Sequence, residues 1–458
     1  MRFVLTLALL ATGCSFYAPS VTDCTIACGE GGACPDGFAC RGGWCRAASA
    51  QTDCQCAVGQ KSACGSSVGA CVQGEKTCVA GGTWSECVGE VKPSEEVCDG
   101  KDNDCDGLVD LGPVKLILDD NTGPFEAHWR MHASDAGYSV VTLLALPDGG
   151  SEARALRYDR EFNAAGRSDV MVDGEWRRVE STMLGDTVYS SYYVGDDVRF
   201  SRILADGTVQ HLSTLVDAGY DGRMQVGSGP RGVISSWLTL DSTVRVAKWS
   251  LDGGAPQVYD LPTIPNGTIS YLGSTTDGRF SIIEADDLRD GGYIEAVQDN
   301  EQPLPFTIEA PYWSAQRFIT RSSNSTIAHV DIVPQDINST STDRQVVFWR
   351  NFGVQAVDGF FRVETPGRWH DSDFVLDTNE DVIAVYVDED TQKFVFARIE
   401  GTSSTDQQVT RRIPADNVVV PVTATNGNVR VARVPGDPMF GLAWSTRKQV
   451  LARRFCAP

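Results

Sequence analysis

The chain has 458 residues, a formal net charge of −22 and 15 cysteines. At roughly 100–200 residues per domain, this length predicts more than one domain. The negative charge argues against nucleic acid as a partner, because acidic side chains repel phosphates, and against a basic membrane-binding face. Such acidity is typical of a soluble exported protein.

Residues 1–13 have the pattern of a targeting segment. Arg2 precedes an apolar run from Phe3 to Ala11, which is shorter than the roughly 20 residues that a transmembrane helix needs. The stretch from Leu10 to Cys14 resembles a bacterial lipobox, the signal whose cysteine becomes lipidated. The resemblance implies a signal peptide over 1–13, a lipid on Cys14, a tether over 14–23, and attachment at the outer membrane or cell surface. The alternative is an ordinary signal peptide cleaved elsewhere, with Cys14 in a disulfide.

The cysteines predict a cross-linked N-terminal region. Thirteen of them lie from Cys24 to Cys105, and the last is Cys456. With Cys14 lipidated, fourteen remain for seven disulfides, which indicates an oxidising compartment. Zinc is disfavoured because the spacings are irregular and no histidine precedes His128. Two Cys-rich modules are expected, over 24–53 and 54–112. The first module has five cysteines and the second has eight. Because five is odd, at least one disulfide must leave the first module.

Residues 113–458 predict an all-β domain. Apolar and polar residues alternate in short runs, and seven two-strand units recur with starts 49, 45, 47, 47, 55 and 58 residues apart. One four-stranded propeller blade occupies about 40–50 residues, so we expect a seven-bladed β-propeller. Two stacked β-sandwiches are the alternative. The predicted hairpins begin at Tyr138, Thr187, Gly232, Arg279, Thr326, Asp381 and Met439.

A short strand before the first hairpin is expected to close the propeller. The run Val114–Leu118 lacks a partner of its own, and the chain ends just after the strand from Val450 to Phe455. Antiparallel pairing of these two runs would remove an open sheet edge. The pairing would also place Cys456 beside the end of the Cys-rich region, so we expect Cys456 to bond to a cysteine within 24–105.

An acidic loop follows Cys98 and predicts a calcium site. Asp102, Asp104 and Asp106 alternate before Gly107, as in the opening of an EF-hand loop. The proposed ligands also include the Leu108 backbone carbonyl and Asp110, whereas Pro113 stands at the twelfth position, where an EF-hand has glutamate. A disulfide between Cys98 and Cys105 is expected to preorganise the loop. Copper is disfavoured because carboxylates are hard ligands. A solvated acidic turn without metal is the alternative.

The stretch from Cys98 to Asp110 closely resembles a metal-binding motif, Cys-Asp-Gly-x-Asp-Asn-Asp-Cys-Asp-Gly-x-Val-Asp. This motif occurs in exported proteins of myxobacteria and is sometimes named after a copper-binding protein of a methanotroph. The resemblance covers about residues 54–111 and does not reach the propeller-like region. It implies a metal-binding role for this part of the chain.

The sequence contains no recognised catalytic motif, and no catalytic residues or catalytic cofactor are assigned. Its histidines form no zinc-protease motif, and it has no nucleophile elbow or phosphate-binding loop. We therefore expect a monomeric, lipid-anchored binding or adhesion protein, whose propeller face binds an envelope protein or a glycan. The alternative is an anchored propeller-fold polysaccharide hydrolase or lyase, because propellers host both roles.

Overall fold

The computed structural model describes most of the chain. The described residues are 21–119, 129–145, 151–171, 179–260 without 217, 219, 230, 231 and 242, and then 268–274, 280–285, 292–297, 304–308, 315–320, 327–334, 344–351, 357–363, 369–378, 382–388, 393–399, 409–419, 429–445 and 449–457. From 268 to 372 the description covers the backbone of the strands.

The chain divides into two compact units. Unit 1 comprises Met1–Glu95 and Lys101–Val109, and unit 2 comprises Glu96–Gly100 and Asp110–Pro458. The regular elements of the described residues are β-strands and one 3-10 turn at Glu30–Gly32, so the protein is all-β. Within the described ranges, no helix has the length and apolar character needed to cross a membrane.

Unit 1 contains two small antiparallel sheets. One is the hairpin of β1 (Phe38–Arg41) with β2 (Trp44–Ala47), and the other has the order β3 (Lys61–Cys64), β4 (Gly74–Val79), β5 (Thr83–Trp84). Among the described residues of this unit, the apolar side chains that are buried are all cysteines: Cys24, Cys45, Cys54, Cys56, Cys71 and Cys78. Cross-links therefore take the place of an aliphatic core.

Six disulfides hold unit 1 together. Only Cys24–Cys54 joins the first Cys-rich module to the second, which accounts for the odd number of cysteines in the first. The other five bonds are Cys28–Cys40, Cys34–Cys45, Cys56–Cys78, Cys64–Cys87 and Cys71–Cys105.

The described residues of unit 2 form seven four-stranded antiparallel sheets, numbered in chain order. The first element is a separate strand, β6 (Lys115–Asp119), followed by sheet 1, which consists of β7 (Trp129–Ser134), β8 (Gly137–Ala145), β9 (Ser151–Tyr158) and β10 (Ala164–Met171). Sheet 2 consists of β11 (Val179–Leu184), β12 (Thr187–Val194), β13 (Asp197–Ile203) and β14 (Val209–Leu215). Sheet 3 consists of β15 (Tyr220–Gly229), β16 (Gly232–Thr239), β17 (Val244–Trp249) and β18 (Gln257–Asp260).

The remaining sheets repeat the same order. Sheet 4 consists of β19 (Thr268–Ser274), β20 (Phe280–Ala285), β21 (Gly292–Val297) and β22 (Leu304–Ile308). Sheet 5 consists of β23 (Ala315–Thr320), β24 (Ile327–Pro334), β25 (Arg344–Asn351) and β26 (Val357–Val363). Sheet 6 consists of β27 (Trp369–Leu376), β28 (Val382–Asp388), β29 (Lys393–Ile399) and β30 (Val409–Val419). Sheet 7 consists of β31 (Val429–Ala432), β32 (Met439–Ser445), β33 (Gln449–Cys456) and β6.

Each hairpin predicted from the sequence forms the two central strands of one sheet. In sheet 1, for example, Tyr138 pairs with Tyr158, and in sheet 7 Met439 pairs with Cys456. The first strand of each sheet lies beside the first strand of the next sheet, and β31 of sheet 7 lies beside β7 of sheet 1. This arrangement of repeated sheets is propeller-like.

The described core lies between consecutive sheets. Sheets 2 and 3 enclose an aromatic cluster in which the Phe200 and Trp249 rings stack with centroids 4.7 Å apart. Sheets 1 and 7 enclose another cluster, in which Tyr138 stacks on Phe162 at 4.2 Å. Gly441 of β32 faces this pair, since a Cβ at that position would lie 2.4 Å from the Tyr138 ring. Apolar burial on both faces of the sheets thus holds neighbouring sheets together.

Strand β6 pairs with the last strand of the chain, as the sequence predicts. The pairing is antiparallel, with Leu118 opposite Val450 and Lys115 opposite Ala452. Ile117 and Leu118 are buried in the core between sheets 1 and 7. The Tyr158 hydroxyl donates a hydrogen bond to the Ile117 carbonyl, and burial raises the pKa of Tyr158 to about 12. Strand β6 therefore contacts sheet 1 as well as completing sheet 7.

Arginines on the third strand of two sheets bind backbone carbonyls of the next sheet. Arg157 of sheet 1 donates to the Ile203 carbonyl of sheet 2 at 3.1 Å. Arg202 of sheet 2 donates to the Leu251 carbonyl after β17 of sheet 3 at 3.0 Å. Ile203 is the last residue of β13 and Leu251 follows β17, so each guanidinium binds a carbonyl near the end of a strand and joins two neighbouring sheets.

Replacing Arg202 with methionine is expected to lower the free energy of unfolding by about 1–2 kcal/mol, because a charged hydrogen bond to a half-buried carbonyl is lost while the aliphatic stem is kept. Arg199→Met on the same strand is the matched control and is expected to cost about 0.5 kcal/mol or less. Denaturant unfolding of both variants measures the difference. Equal destabilisation by the two changes would show that the hydrogen bond to the Leu251 carbonyl does not contribute measurably to the free energy of unfolding.

Candidate functional site

The predicted lipidation residue, Cys14, lies outside the described residues, since the description begins at residue 21. Its assignment rests on the sequence between Leu10 and Cys14.

The acidic loop folds as a compact turn in unit 1. Asp102 is buried, and its two carboxylate oxygens accept hydrogen bonds from the backbone N–H groups of Asp106 at 3.1 Å and Gly107 at 2.9 Å. Asp104 also accepts from Asp106 N, at 3.2 Å. One carboxylate oxygen of Asp102 and one of Asp104 lie within 4.8 Å of each other. The loop therefore brings two of the predicted ligands together and fixes Asp102 in place.

The other predicted ligands have separate environments. Asp106 is exposed, and its carboxylate accepts a hydrogen bond from Leu108 N at 2.8 Å. Asp110 belongs to unit 2, where its carboxylate accepts from Gly100 N at 3.0 Å. Sequence reasoning overlooked Glu96, a buried carboxylate in the same acidic stretch. Its position before the motif gave no signal of burial.

A glycine allows close packing behind the acidic loop. Gly69 has a φ of +59°, and a Cβ there would lie 2.4 Å from the Asp102 side chain. The neighbouring Ala70 N donates to the Asp102 carbonyl at 2.8 Å. Only glycine, which has no Cβ, can pack this closely against the Asp102 side chain, so Gly69 helps to fix the conformation of the acidic loop.

The expected disulfide between Cys98 and Cys105 is not formed, and that prediction was wrong. Cys98 pairs with Cys456, and Cys105 pairs with Cys71. The physical reason lies in the chain path, because residues 96–100 fold with unit 2 and residues 101–109 fold with unit 1. The short spacing of the two cysteines therefore does not correspond to a shared packing environment.

The two ends of unit 2 are joined by several neighbouring bonds. Cys456 N donates to the Asp110 carbonyl at 3.0 Å, and Gly112 N donates to the Arg454 carbonyl at 3.0 Å. The Arg453 guanidinium, itself buried, donates to the Gly112 carbonyl at 2.6 Å. The Cys98–Cys456 disulfide lies at the end of this ladder. We call residues 110–119 with 449–456, together with this disulfide, the closing junction.

A buried ion cluster adjoins the closing junction between sheets 7 and 1. Arg454 donates through Nη2 to both Asp437 oxygens at 2.9 Å, and through Nη1 to Glu161. Asp437 is 3% exposed. Burial raises the pKa of the nearby Tyr138 hydroxyl far above its ordinary value, so this group stays protonated. The cluster links the last strand to the β9–β10 turn that carries Glu161.

The first strands of sheets 1 and 2 carry paired polar side chains. Arg130 of β7 contacts both carboxylate oxygens of Glu180 of β11, at 3.0 and 2.9 Å. His132 Nε2 and Ser181 Oγ share a hydrogen bond of 2.9 Å. Glu180 and Ser181 are buried, whereas Arg130 and His132 are partly exposed. These pairs stabilise the contact between the two first strands, and they also place histidine, serine and carboxylate groups close together.

The other histidines are dispersed. His211 lies on β14, where its Nε2 shares a hydrogen bond of 3.0 Å with Thr214 Oγ1. Burial, with a smaller contribution from Arg199, lowers the pKa of His211. His329 and His370 lie on strands β24 and β27, and His128 lies outside the described residues.

Comparison of the sequence with protein-family models and with curated proteins finds no match. Among solved structures, the chain is similar to a virginiamycin B lyase from Staphylococcus aureus, with 13% identity and a TM-score of 0.50, covering 75% of this chain and 99% of the lyase. A polysaccharide lyase aligns at 9% identity and a TM-score of 0.48 over 73% of this chain and 91% of its own. A lectin in complex with alpha methyl fucoside aligns at 11% identity and a TM-score of 0.41 over 66% of this chain and 99% of the lectin. At these identities the likeness to the first lyase shows the propeller-like fold alone.

Proposed function

We propose that this chain is a lipid-anchored protein of the outer membrane or cell surface that binds an envelope protein or a glycan. In this proposal Cys14 carries the lipid, the Cys-rich residues 24–112 act as a stalk, and residues 113–458 form a monomeric seven-bladed β-propeller closed by β6. One face of the propeller binds the ligand. Seven disulfides support an oxidising location, since such bonds persist outside the reducing cytosol.

The closing junction is the observation that carries this proposal. An anchored protein that holds a ligand is pulled between its anchor and its binding face. Strands β6 and β33 pair antiparallel, and the Cys98–Cys456 bond connects the end of β33 to the chain that leads into β6. A force applied through the N-terminal part of the chain therefore acts on β6 and β33 at the same end of the strand pair. Such a connection resists peeling of β6 from β33, as a display protein requires.

The test is a binding screen of the chain from residue 21 onward, attached through its N-terminus so that it stands as on a membrane. Saturable binding to a defined glycan or purified envelope protein, without change in that ligand, is the expected result. The heat-unfolded, reduced chain is the control. Turnover of a polysaccharide would replace this proposal with the enzymatic one.

The enzymatic alternative is an anchored polysaccharide hydrolase or lyase. The observation in its favour is the neighbouring pairs Arg130–Glu180 and His132–Ser181 on adjacent first strands, because these residue types serve general acid–base chemistry. If this alternative holds, His132→Ala should abolish turnover while leaving the folded far-ultraviolet spectrum unchanged.

We also propose that the acidic loop binds calcium as a structural ion. Asp102, Asp104 and Asp106 would supply carboxylate oxygens, and the Leu108 carbonyl and Asp110 are the further candidate ligands. Copper is disfavoured. Oxygen donors suit this hard cation. The hydrogen bonds that hold Asp102 lower the cost of ordering the loop.

Calorimetric titration of the chain from residue 21 onward should give a calcium dissociation constant of about 10⁻⁴–10⁻³ M, because the glutamate at the twelfth loop position is missing. Asp104→Ala should weaken binding by about tenfold or more, since one charged ligand is lost. Asp36→Ala, at an exposed aspartate of the same unit, is the control and should leave the titration unchanged. No calcium heat, or tighter binding of copper, would contradict the assignment.

A further inference from the structure

The fourteen cysteines from Cys24 onward are all paired, and none is bonded to the next cysteine along the chain. Cys34–Cys45 encloses Cys40, for example, and Cys98–Cys456 encloses Cys105. The longest bond spans 358 residues, whereas the other bonds span 11 to 34. For eight cysteines there are already about 100 ways to pair, and fourteen allow on the order of 10⁵. The native set is therefore one of many, and it avoids every nearest-neighbour bond.

Chain statistics favour bonds that the native structure does not contain. In an unfolded chain, Cys98 has Cys105 seven positions away and Cys456 358 positions away. Because closure probability falls as about the 3/2 power of loop length, Cys98 meets Cys105 about 370 times more often than Cys456. Cys456 is also synthesised after both Cys98 and Cys105. Among the possible bonds of Cys98, the bond to Cys105 is therefore the first that an oxidant would form.

That local bond blocks two native bonds at once. A Cys98–Cys105 disulfide occupies the partners of both Cys456 and Cys71. It also ties together two segments, 96–100 and 101–109, that fold with different units. The native bond of Cys98 needs β33 in place, because Cys456 is its final residue. The mispaired chain thus cannot reach the closing junction without breaking a disulfide.

We propose that this chain is a substrate of a thiol–disulfide isomerase, which removes the Cys98–Cys105 bond. The isomerase thiolate attacks Cys105 Sγ, the Cys98–Cys105 bond breaks, and Cys98 leaves as a thiolate. The Cys71 thiolate then attacks the mixed disulfide, forms Cys71–Cys105 and releases the isomerase thiolate, so no electrons are gained or lost. Cys98 and Cys456 afterwards lose two electrons and two protons to a disulfide oxidant such as glutathione disulfide, which becomes two thiols.

The test is oxidative refolding of the full chain carrying Cys14→Ser, starting from the reduced, denatured state, in a buffer of glutathione disulfide and reduced glutathione, with or without a purified thiol–disulfide isomerase. Mass mapping of non-reduced peptides measures each bond over time. Without the isomerase, Cys98–Cys105 should exceed Cys98–Cys456 by about tenfold or more at early times. With it, Cys98–Cys456 should become the main bond of Cys98. Equal yields of Cys98–Cys456 with and without the isomerase would overturn the proposal.

The matched variant is Cys71→Ser with Cys105→Ser, which removes the nearest competing partner of Cys98 and retains Cys98 and Cys456. In this variant the early yield of Cys98–Cys456 without the isomerase should be about twice that of the wild type, because Cys87, eleven positions from Cys98, still competes. If the variant does not fold, the peptide map of the wild-type chain at early times tests the proposal. A Cys98–Cys105 peptide that later disappears with the isomerase supports the proposal, and its absence from early samples overturns it.

Discussion

Replacing Arg454 with methionine is expected to lower the free energy of unfolding by about 3–5 kcal/mol, because it leaves two carboxylates near the closing junction without their cation. Asp437 is 3% exposed and receives both Nη2 hydrogen bonds of Arg454. Glu161, on the neighbouring sheet, receives the bond from Nη1. Denaturant unfolding of the chain from residue 21 onward, followed by tryptophan fluorescence, measures the loss.

The control for Arg454→Met is Arg245→Met, which removes a guanidinium group from an exposed ion pair. Arg245 bonds Asp260 at 2.7 Å, but the two side chains are 28% and 45% exposed. We expect a loss of about 1 kcal/mol or less, since solvent screens such pairs. A similar loss from both variants would show that burial of the Arg454 cluster does not determine its contribution.

The second large effect is expected from the double change Cys98→Ser with Cys456→Ser. The disulfide closes a loop of 358 residues, and chain-entropy arguments give about 6 kcal/mol for a loop of this size. The hydrogen bonds of Asp110 and Gly112 to β33 would remain, so the domain should still fold but unfold at a lower temperature. Calorimetric melting measures the change.

The matched control removes Cys28–Cys40, which spans 12 residues and belongs to unit 1. Its loss should leave the melting transition of unit 2 unchanged. If the unit 2 transition shifts equally in both variants, the effect comes from general loss of cross-links and not from the closing junction.

Much of the fold could be predicted because strand alternation and cysteine counting are properties that the sequence displays directly. Each predicted hairpin, such as the one that begins at Tyr138, became the centre of one sheet. The pairing of β6 with β33 followed from an unpaired strand early in the domain and a last hairpin without an outer strand, whereas the register, with Leu118 opposite Val450, came from the structure. The partner of Cys456 lies in the segment where the sequence placed it, at Cys98.

Other features depended on information that local patterns do not contain. Cys98 and Cys105 are close along the chain but fold with different units, so spacing suggested the wrong bond. The Arg130–Glu180 and His132–Ser181 pairs depend on how two sheets align, and the sequence shows neither sheet alignment nor side-chain direction. The burial of Glu96 and Asp102 likewise arises from tertiary packing of residues that are usually exposed.

The display of this domain on a membrane is the central claim, and the mass of the mature N-terminus tests it most directly. The full gene product should be expressed in a bacterial host with lipoprotein processing, purified from membranes, and digested for mass spectrometry. The account predicts that residues 1–13 are absent and that the first peptide begins at Cys14 with the added mass of a diacylglyceryl group. A mature chain that begins elsewhere, or with Cys14 unmodified or in a disulfide, would contradict it.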